Sequence, residues 1–556
     1  MERLQIVKIS PTENMTVLVE TPVPGARHAE IAEKLTELFK AAKENGCDKI
    51  EFDKGTYYIN NRKCKEYILY ITNTVGDGEF AANETPHLNA VAFYLGSIDN
   101  LTVDGNGSIF IIDGKVTNAA VENCRNVTLK NMEIRHAHPD MHELKVVSKG
   151  AFHVDYEVDS DTQIEFVDSL PYFIGKDYCY PINQNAATAR WIPKIKAESP
   201  ELVKRSAHPL SGAFKFSKLG KNRFRAHYAN TFRFKVGDRY YIYDVRRQFA
   251  GIFINKSKNI KLENIAQRFN YSLALVVQNS ADILLENSVF APEENSPRLL
   301  ASCADFVQAC MCRGTVSVSD CKFIGAGDDC LNAHGVHYKI VDVSDSQITV
   351  RYMHPQTHGF NPLRVGDEIA FVNPKTLLEN GRAEILSSKL VSETDIRLAL
   401  GSSYQAKKGE VIEDVTACPD VFFERNEMSR IITRGLLLTT RGKVRVRNNR
   451  FAGTTMSAIL LSDDAQSWYE SGPCRDVLIE NNEFLASGNP TVLIKPENRI
   501  YGGAVHKNIR ISGNKFGANG GCCVKASSTD GIELTGNDFG RTKPIKATKC
   551  ENVIIK

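Results

Sequence analysis

The sequence predicts an all-β chain: a parallel β-helix, or solenoid, opened by one capping helix and interrupted by two inserted β-barrel-like modules. Two observations carry this. A nine-residue phrase recurs along most of the 556 residues, and two long gaps in its recurrence are filled with other short strand patterns. Helix-period stretches are confined to one segment near the start.

The phrase is clearest near the C-terminus: KVRVRNNRF from Lys443, DVLIENNEF from Asp476, NIRISGNKF from Asn508 and GIELTGNDF from Gly531. Earlier copies start at Asn100, Asn126, Asn259, Asp282, Thr315 and Asp420, and a partial copy, NVIIK, starts at Asn552. Each alternates apolar and polar residues for four or five positions, the periodicity of a strand with one buried face. An Asn or Gly then turns the chain and an apolar residue points inward again. Where the series is unbroken, successive starts differ by 26, 23, 33, 23, 33, 32, 23 and 21 residues. One short strand and a turn per unit at this period is the mark of a solenoid whose coils bury their apolar faces only by stacking.

Asn126 to Asn259 spans 133 residues and Thr315 to Asp420 spans 105. Less about one coil each, these leave insertions of roughly 110 and 80 residues. Both carry strand signals broken by Gly, Asp and Asn turns, such as GAFHVDYEV and DRYYIYDV in the first and QITVRYM and DEIAFV in the second, which suits small barrels or sandwiches. The chain divides accordingly: 1–135, N-terminal strand, helix and first coils; 136–250, first module; 251–336, coils; 337–415, second module; 416–556, C-terminal coils.

From Glu30, EIAEKLTELFKAAKENG sets Ile31, Leu35, Leu38, Phe39 and Ala42 on one stripe and stops at Gly46, a helix suited to covering the open solenoid end. Met1 to Lys8 alternate as a strand does and lack the apolar run of a secretory leader, so the chain fits a cytoplasmic enzyme or an exported one whose leader has been removed. No apolar run approaches the length of a membrane helix. With 69 basic and 66 acidic residues the net charge is +3, which argues against a nucleic-acid partner and gives no support to a polyanionic substrate. The 14 cysteines read as small core residues; Cys303, Cys310, Cys312 and Cys321 lack the CxxC spacing of a zinc site.

The chemistry concentrates in ADFVQACMCRGTVSVSDCKFIGAGDDCLNAHG, residues 304–335. Asp305 lies 24 residues before Asp329, close to one turn of this solenoid, and so stacks about one strand spacing from the Asp328–Asp329 pair. Neighbours on one strand face opposite ways, so both members of the pair reach one pocket only if the chain bends, which Gly325 and Gly327 permit. Three carboxylates this close raise the pKa of at least one, giving the protonated acid and ionised base that a glycosidase divides between two groups.

GDDCLNAHG, preceded by ADF, resembles glycoside hydrolase family 110, the exo-acting α-1,3-galactosidases, as do WYESGPCRDV from Trp468, RGLLLTTRGKV from Arg434, RRQFAGIFI from Arg246 and MHPQTHGFNPLRVGDEIAFV from Met353. The likeness runs over residues 28 to 540. It implies a right-handed β-helix with two barrel insertions, cleavage with inversion, and kinship to polygalacturonase-type hydrolases that share a lone Asp one coil before an Asp-Asp pair. Carried over by position, the resemblance implies Asp328 as the general acid and Asp305 with Asp329 as the residues that hold and deprotonate water. An inverting acid and base are expected about 6.5–9.5 Å apart. No metal or cofactor is needed for such chemistry.

Further substrate-binding candidates are His334 and Asn332, placed by the period-2 rule on the face of Cys330 and Asp328, and the planar donors Arg246, Gln278, Arg434 and Arg441. Trp468, one of two tryptophans, offers a ring to stack on galactose or to pack in the core, and Glu470 a carboxylate for a hydroxyl. His354 and His358 are weaker candidates in the second module. The implied partner is a carbohydrate ending in α-galactose, of blood-group-B type or linear; an uncovered solenoid end or barrel face would support a homo-oligomer. Alternatives are a polyuronate hydrolase of the same fold, and a non-catalytic β-helix adhesin on which the three Asp would lie scattered.

Overall fold

A computed structural model describes residues 5–9, 14–19, 31–74, 87–159, 162–183, 192–195, 202–243, 247–344, 347–401, 405–517 and 521–556. The recurring phrase is one coil corner. In KVRVRNNRF, Lys443–Arg447 is a strand, Asn448 takes the left-handed backbone (φ 56°), and Arg450–Ala452 is the strand of the next face. Residues 425, 448, 481, 513 and 536, which are Arg, Asn, Asn, Gly and Gly, repeat that positive φ, the backbone region Asn and Gly enter most readily.

The residue after each corner is an asparagine, buried at 426, 449, 482 and 514 and partly buried at 537. Asn426, Asn449, Asn482, Asn514 and Asn537 form a ladder in which the backbone N–H and the amide of one donate to the side-chain oxygen of the next, at 2.8–3.2 Å. The phrase-final phenylalanines stack alongside: Phe451, Phe484, Phe516 and Phe539 have ring centroids 4.8–5.4 Å apart. Parallel pairing links coil to coil, and neither insertion breaks it. Val127 pairs with Ile260 across the first gap and Val316 with Val421 across the second. One apolar core runs the length of the solenoid.

Helix α1 (Ala32–Asn45) buries Ala32, Leu35, Leu38, Phe39 and Ala42 against the first coils, Phe39 meeting Phe93 at 6.0 Å, and ends at Gly46 with φ 63°. The first module has a seven-stranded antiparallel sheet and a three-stranded one that share a core including Leu144, Tyr156, Phe173 and Phe224. The second is a closed barrel of six antiparallel strands between Tyr338 and Asp414, filled by Tyr338, Ile340, Phe371, Ile385 and Ile412. All 14 cysteines are free thiols and most are buried.

Candidate active site

One column of strands carries the site: Leu275–Gln278, Val307–Cys310, Leu331–Val336 and Leu436–Thr439, each paired in parallel with the next. Just before the third strand the chain bends. Gly325 has φ 84°, and a Cβ there would come within 2.4 Å of Leu299 O; one on Gly327 would meet Cys303 at 2.5 Å. Only glycine allows this corner to sit so close to the coil below. The bend turns both Asp328 and Asp329 to one pocket, while Cys330 enters the solenoid core. The expectation that Cys330 shares a face with Asn332 is therefore corrected: regular alternation begins only at Leu331, with Leu331 and Ala333 inward and Asn332 and His334 toward the site.

Asp305 sits one coil below Asp329. The N–H of Phe306 donates to Asp329 O at 3.0 Å, and Asp329 N–H donates to Asp305 Oδ1 at 3.2 Å. A carboxylate oxygen from each of Asp305, Asp328 and Asp329 lies within 4.8 Å of the other two. This is tighter than the separation expected of an inverting pair, because the three come from adjacent coils on one face. Asp305 and Asp329 are buried; Asp328 is partly exposed to the pocket.

Arg434, one coil further on, holds Asp329. Its Nε donates to Oδ1 at 2.8 Å, Nη2 lies 2.8 Å from Oδ2, and its backbone N–H and the Thr433 hydroxyl also donate to Oδ1. Arg247 Nη2 lies 3.5 Å from Asp328 Oδ2. Burial, then the neighbouring Asp328 and Asp329 charges, push the Asp305 carboxyl well above the usual carboxylate range. Burial also raises Asp329, opposed chiefly by Arg434.

Next to the triad, Asn332 Nδ2 donates to Glu470 Oε1 at 3.0 Å, and His334 Nε2 lies 3.7 Å from the same oxygen and 3.1 Å from Gln308 Nε2. Burial works to lower the His334 imidazole, but Cys310, Glu470 and the Gly335 carbonyl outweigh it and hold it at about 10. Trp468 is half-exposed at the rim, its ring 4.4 Å from and nearly parallel to that of His354. The pocket encloses about 120 Å³.

The structure thus brings together Asp305, Asp328, Asp329, Asn332, His334, Arg434, Trp468 and Glu470. Two candidates fall elsewhere. Gln278 belongs to the same column as His334 but is wholly buried; its amide is taken by Thr72 N–H and Tyr70 O, at 2.8 and 3.0 Å. Arg441 lies beyond the end of its strand and pairs with Glu413 and Glu379 at the root of the second module. Arg246 lies outside the described residues. His358 packs on His87, with ring nitrogens 3.2 Å apart, away from the triad. Sequence reasoning missed Arg247, Asn73, Ser462, Asp464 and Glu497, which also line the pocket. Arg247 stood next to the residue chosen; the others reach the pocket from loops with no motif to mark them.

The description of GLAA-B β-barrel domain II matches residues 347–411, and that of a right-handed β-helix region matches residues 410–555. Over 522 residues the chain is 33% identical to α-1,3-galactosidase A of Bacteroides thetaiotaomicron, covering 91% of this chain and 90% of that one. It is 27% identical to α-1,3-galactosidase B of Parabacteroides distasonis, over 96% and 89% of the two chains. Among solved structures, a polygalacturonase from Erwinia carotovora ssp. carotovora aligns over 99% of each chain at 7% identity and a TM-score of 0.41. A chain that matches one named enzyme over nine-tenths of both lengths, with the right-handed β-helix running to its end, belongs to the α-1,3-galactosidase family.

Proposed function

We propose that the protein is an inverting exo-α-1,3-galactosidase of glycoside hydrolase family 110, removing terminal non-reducing α-1,3-linked galactose from oligosaccharides and glycoconjugates, with branched blood-group-B-type and linear ends as substrates. The observation that carries the reading is the three-aspartate cluster in a small pocket rimmed by Trp468. The pocket volume suits one terminal ring, and an exposed aromatic face suits the apolar side of galactose. Both arginines there, Arg247 and Arg434, are matched by aspartates, which favours a neutral sugar over a polyuronate.

Asp328, the member open to the pocket, is the general acid toward the leaving oxygen. Asp305 and Asp329 hold the attacking water. Burial and then the two neighbouring aspartates raise the Asp305 carboxyl, which opposes ionising all three together. In this reading Asp328 gives its proton to the leaving oxygen and the Asp305–Asp329 pair takes one from the attacking water. The hold on Asp329 supports inversion: both of its oxygens are engaged by Arg434 and Thr433, which disfavours it as a nucleophile toward the anomeric carbon. His334, Asn332 and Glu470 offer hydroxyl partners.

The test is proton NMR of the sugar first released from α-1,3-galactobiose, B-type trisaccharide and oligogalacturonate. β-Galactose is the expected product. α-Galactose would refute inversion, release from oligogalacturonate alone would favour the polyuronate reading, and no release at all would favour the adhesin.

A further inference from the structure

The loop bearing Trp468 and Glu470 is held from below by a buried pair at the root of the second module. The loop's upper part is locally closed. Asp464 N–H donates to Glu470 O at 2.9 Å, and the Asp464 carboxylate accepts from the N–H groups of Gln466 (2.8 Å), Ser467 (3.1 Å) and Trp468 (2.6 Å). Beneath it, Asp463 Oδ1 accepts from His337 Nε2 at 2.9 Å and from Gly472 N–H at 3.3 Å, so one carboxylate ties both ends of the loop. His337 N–H donates to Tyr469 O at 2.8 Å, and Gly335 and Val336 pair antiparallel with Ser471 and Glu470. His337 and Asp463 are essentially inaccessible to solvent.

His337 immediately precedes the barrel's first strand, and Glu413, in its last strand, joins the same cluster. Arg441 pairs with Glu413, and Arg475 feels the charge of both Glu413 and Asp463, so positive charge faces the two acids. One buried site therefore gathers the start and end of the module and both ends of the loop. Such a pair has little freedom, because moving either partner strands the other in a low-dielectric interior.

We propose that His337 and Asp463 are positioning residues for substrate binding: their hydrogen bond locks the 463–472 loop to the root of the second module and so fixes the Trp468 ring and the Glu470 carboxylate beside the aspartates. This deepens the galactosidase reading and rests on it. Neither residue lines the pocket, so the effect passes through the loop backbone.

The test uses the full chain carrying Trp191→Phe, which leaves Trp468 as the one tryptophan. His337→Phe keeps the ring volume and removes the donor; His337→Gln keeps an N–H at a similar reach. The Phe variant is expected to raise KM for a terminal α-1,3-galactoside about tenfold while kcat changes less than about threefold. It should also increase acrylamide quenching of Trp468, with the Gln variant restoring both. Should the Phe variant not fold, Asp463→Ser, which withdraws the acceptor, must give the same pair of effects and Asp463→Asn must reverse them. Unchanged KM and unchanged quenching in a folded variant, or a fall confined to kcat, overturns the proposal. Quenching needs no turnover, so a parent protein that cleaves no galactoside defeats the galactosidase reading while the loop lock is still judged by Trp468.

Discussion

Arg434 stands one coil beyond Asp329 and grips both of its carboxylate oxygens, Nε on Oδ1 and Nη2 beside Oδ2, each at 2.8 Å. The register of the solenoid sets this contact, since Leu331 pairs with Leu436 and residue 434 therefore lies over residue 329. Burial pushes the Asp329 carboxyl up, and the guanidinium is the largest force opposing it. A lysine would supply charge without the fork. Arg434→Lys is expected to lower kcat about 100-fold or more, with the melting temperature within a few degrees of the parent. Near-parental turnover would show that the fork is not needed.

Asp305→Asn should separate activity from stability. The amide keeps an acceptor for Asp329 N–H, so the bend is retained. The Asp305 carboxyl is raised by burial and by its two neighbours. A raised folded pKa means that the stability this group contributes is complete below its unfolded value of about 3.9 and is lost as pH rises toward the folded value. Above that window the variant avoids the loss. It should melt at or above the parent's temperature at pH 7, with the difference growing from pH 4 upward, while kcat falls about 1000-fold or more. A variant less stable at pH 7 than at pH 4, relative to the parent, would contradict the sign.

Much of this is legible in the sequence. The corners and inward positions of the phrase follow from strand alternation and, at every C-terminal corner but Arg425, from Asn or Gly at the positive-φ residue. The 24-residue offset placed Asp305 beneath Asp329 because one coil is that long. Gln278 illustrates the limit. As a planar donor it suits a hydroxyl, but Tyr70 and Thr72 cover it, and pairings 206 and 208 residues apart leave no local pattern. Arg441 failed likewise: Glu413, its partner, enters through the second module, whose docking no repeat encodes.

Trp468 should act on binding rather than on chemistry. It is half-exposed and packs on His354 alone among the rings of the described residues. Trp468→Ala removes the platform without opening the core, so KM is expected to rise roughly tenfold, by the scale of aromatic stacking energies, and kcat to change little. Steady-state kinetics on a terminal α-1,3-galactoside separates the two. An equal fall in kcat and kcat/KM would place the ring in the transition state instead.

Acid should weaken the C-terminal coils through His506. This residue is wholly buried, accepts from Cys474 N–H at 3.0 Å, and burial pushes its imidazole down to about 4. A lowered folded pKa means stability that is present above the unfolded value of about 6.5 and lost as pH falls through the folded one. The loss from this group is about 3 kcal/mol. In urea unfolding, the parent's advantage over His506→Asn should shrink by about that amount between pH 7 and pH 4. A constant difference across that range would mean that His506 is charged in both states or in neither.

The asparagine ladder makes the sharpest demand on side-chain chemistry. Asn482 accepts from Asn449 N–H and Nδ2 at 2.9 Å each, and its own Nδ2 donates to Val446 O at 2.8 Å and Asn514 Oδ1 at 2.9 Å. All four bonds are buried, where an unmade one costs about 1–3 kcal/mol. Asn482→Ala strands partners on both sides and is expected to destabilise by about 3 kcal/mol or more. Asn482→Asp is nearly isosteric, yet it turns a lone pair toward two acceptors and buries a charge, so it should destabilise at least as much at pH 7 and recover in part on acidification. Denaturant unfolding of the two variants at pH 7 and pH 5 checks both. If Asp were tolerated better than Ala at pH 7, the ladder would be filling space rather than satisfying the coil corners.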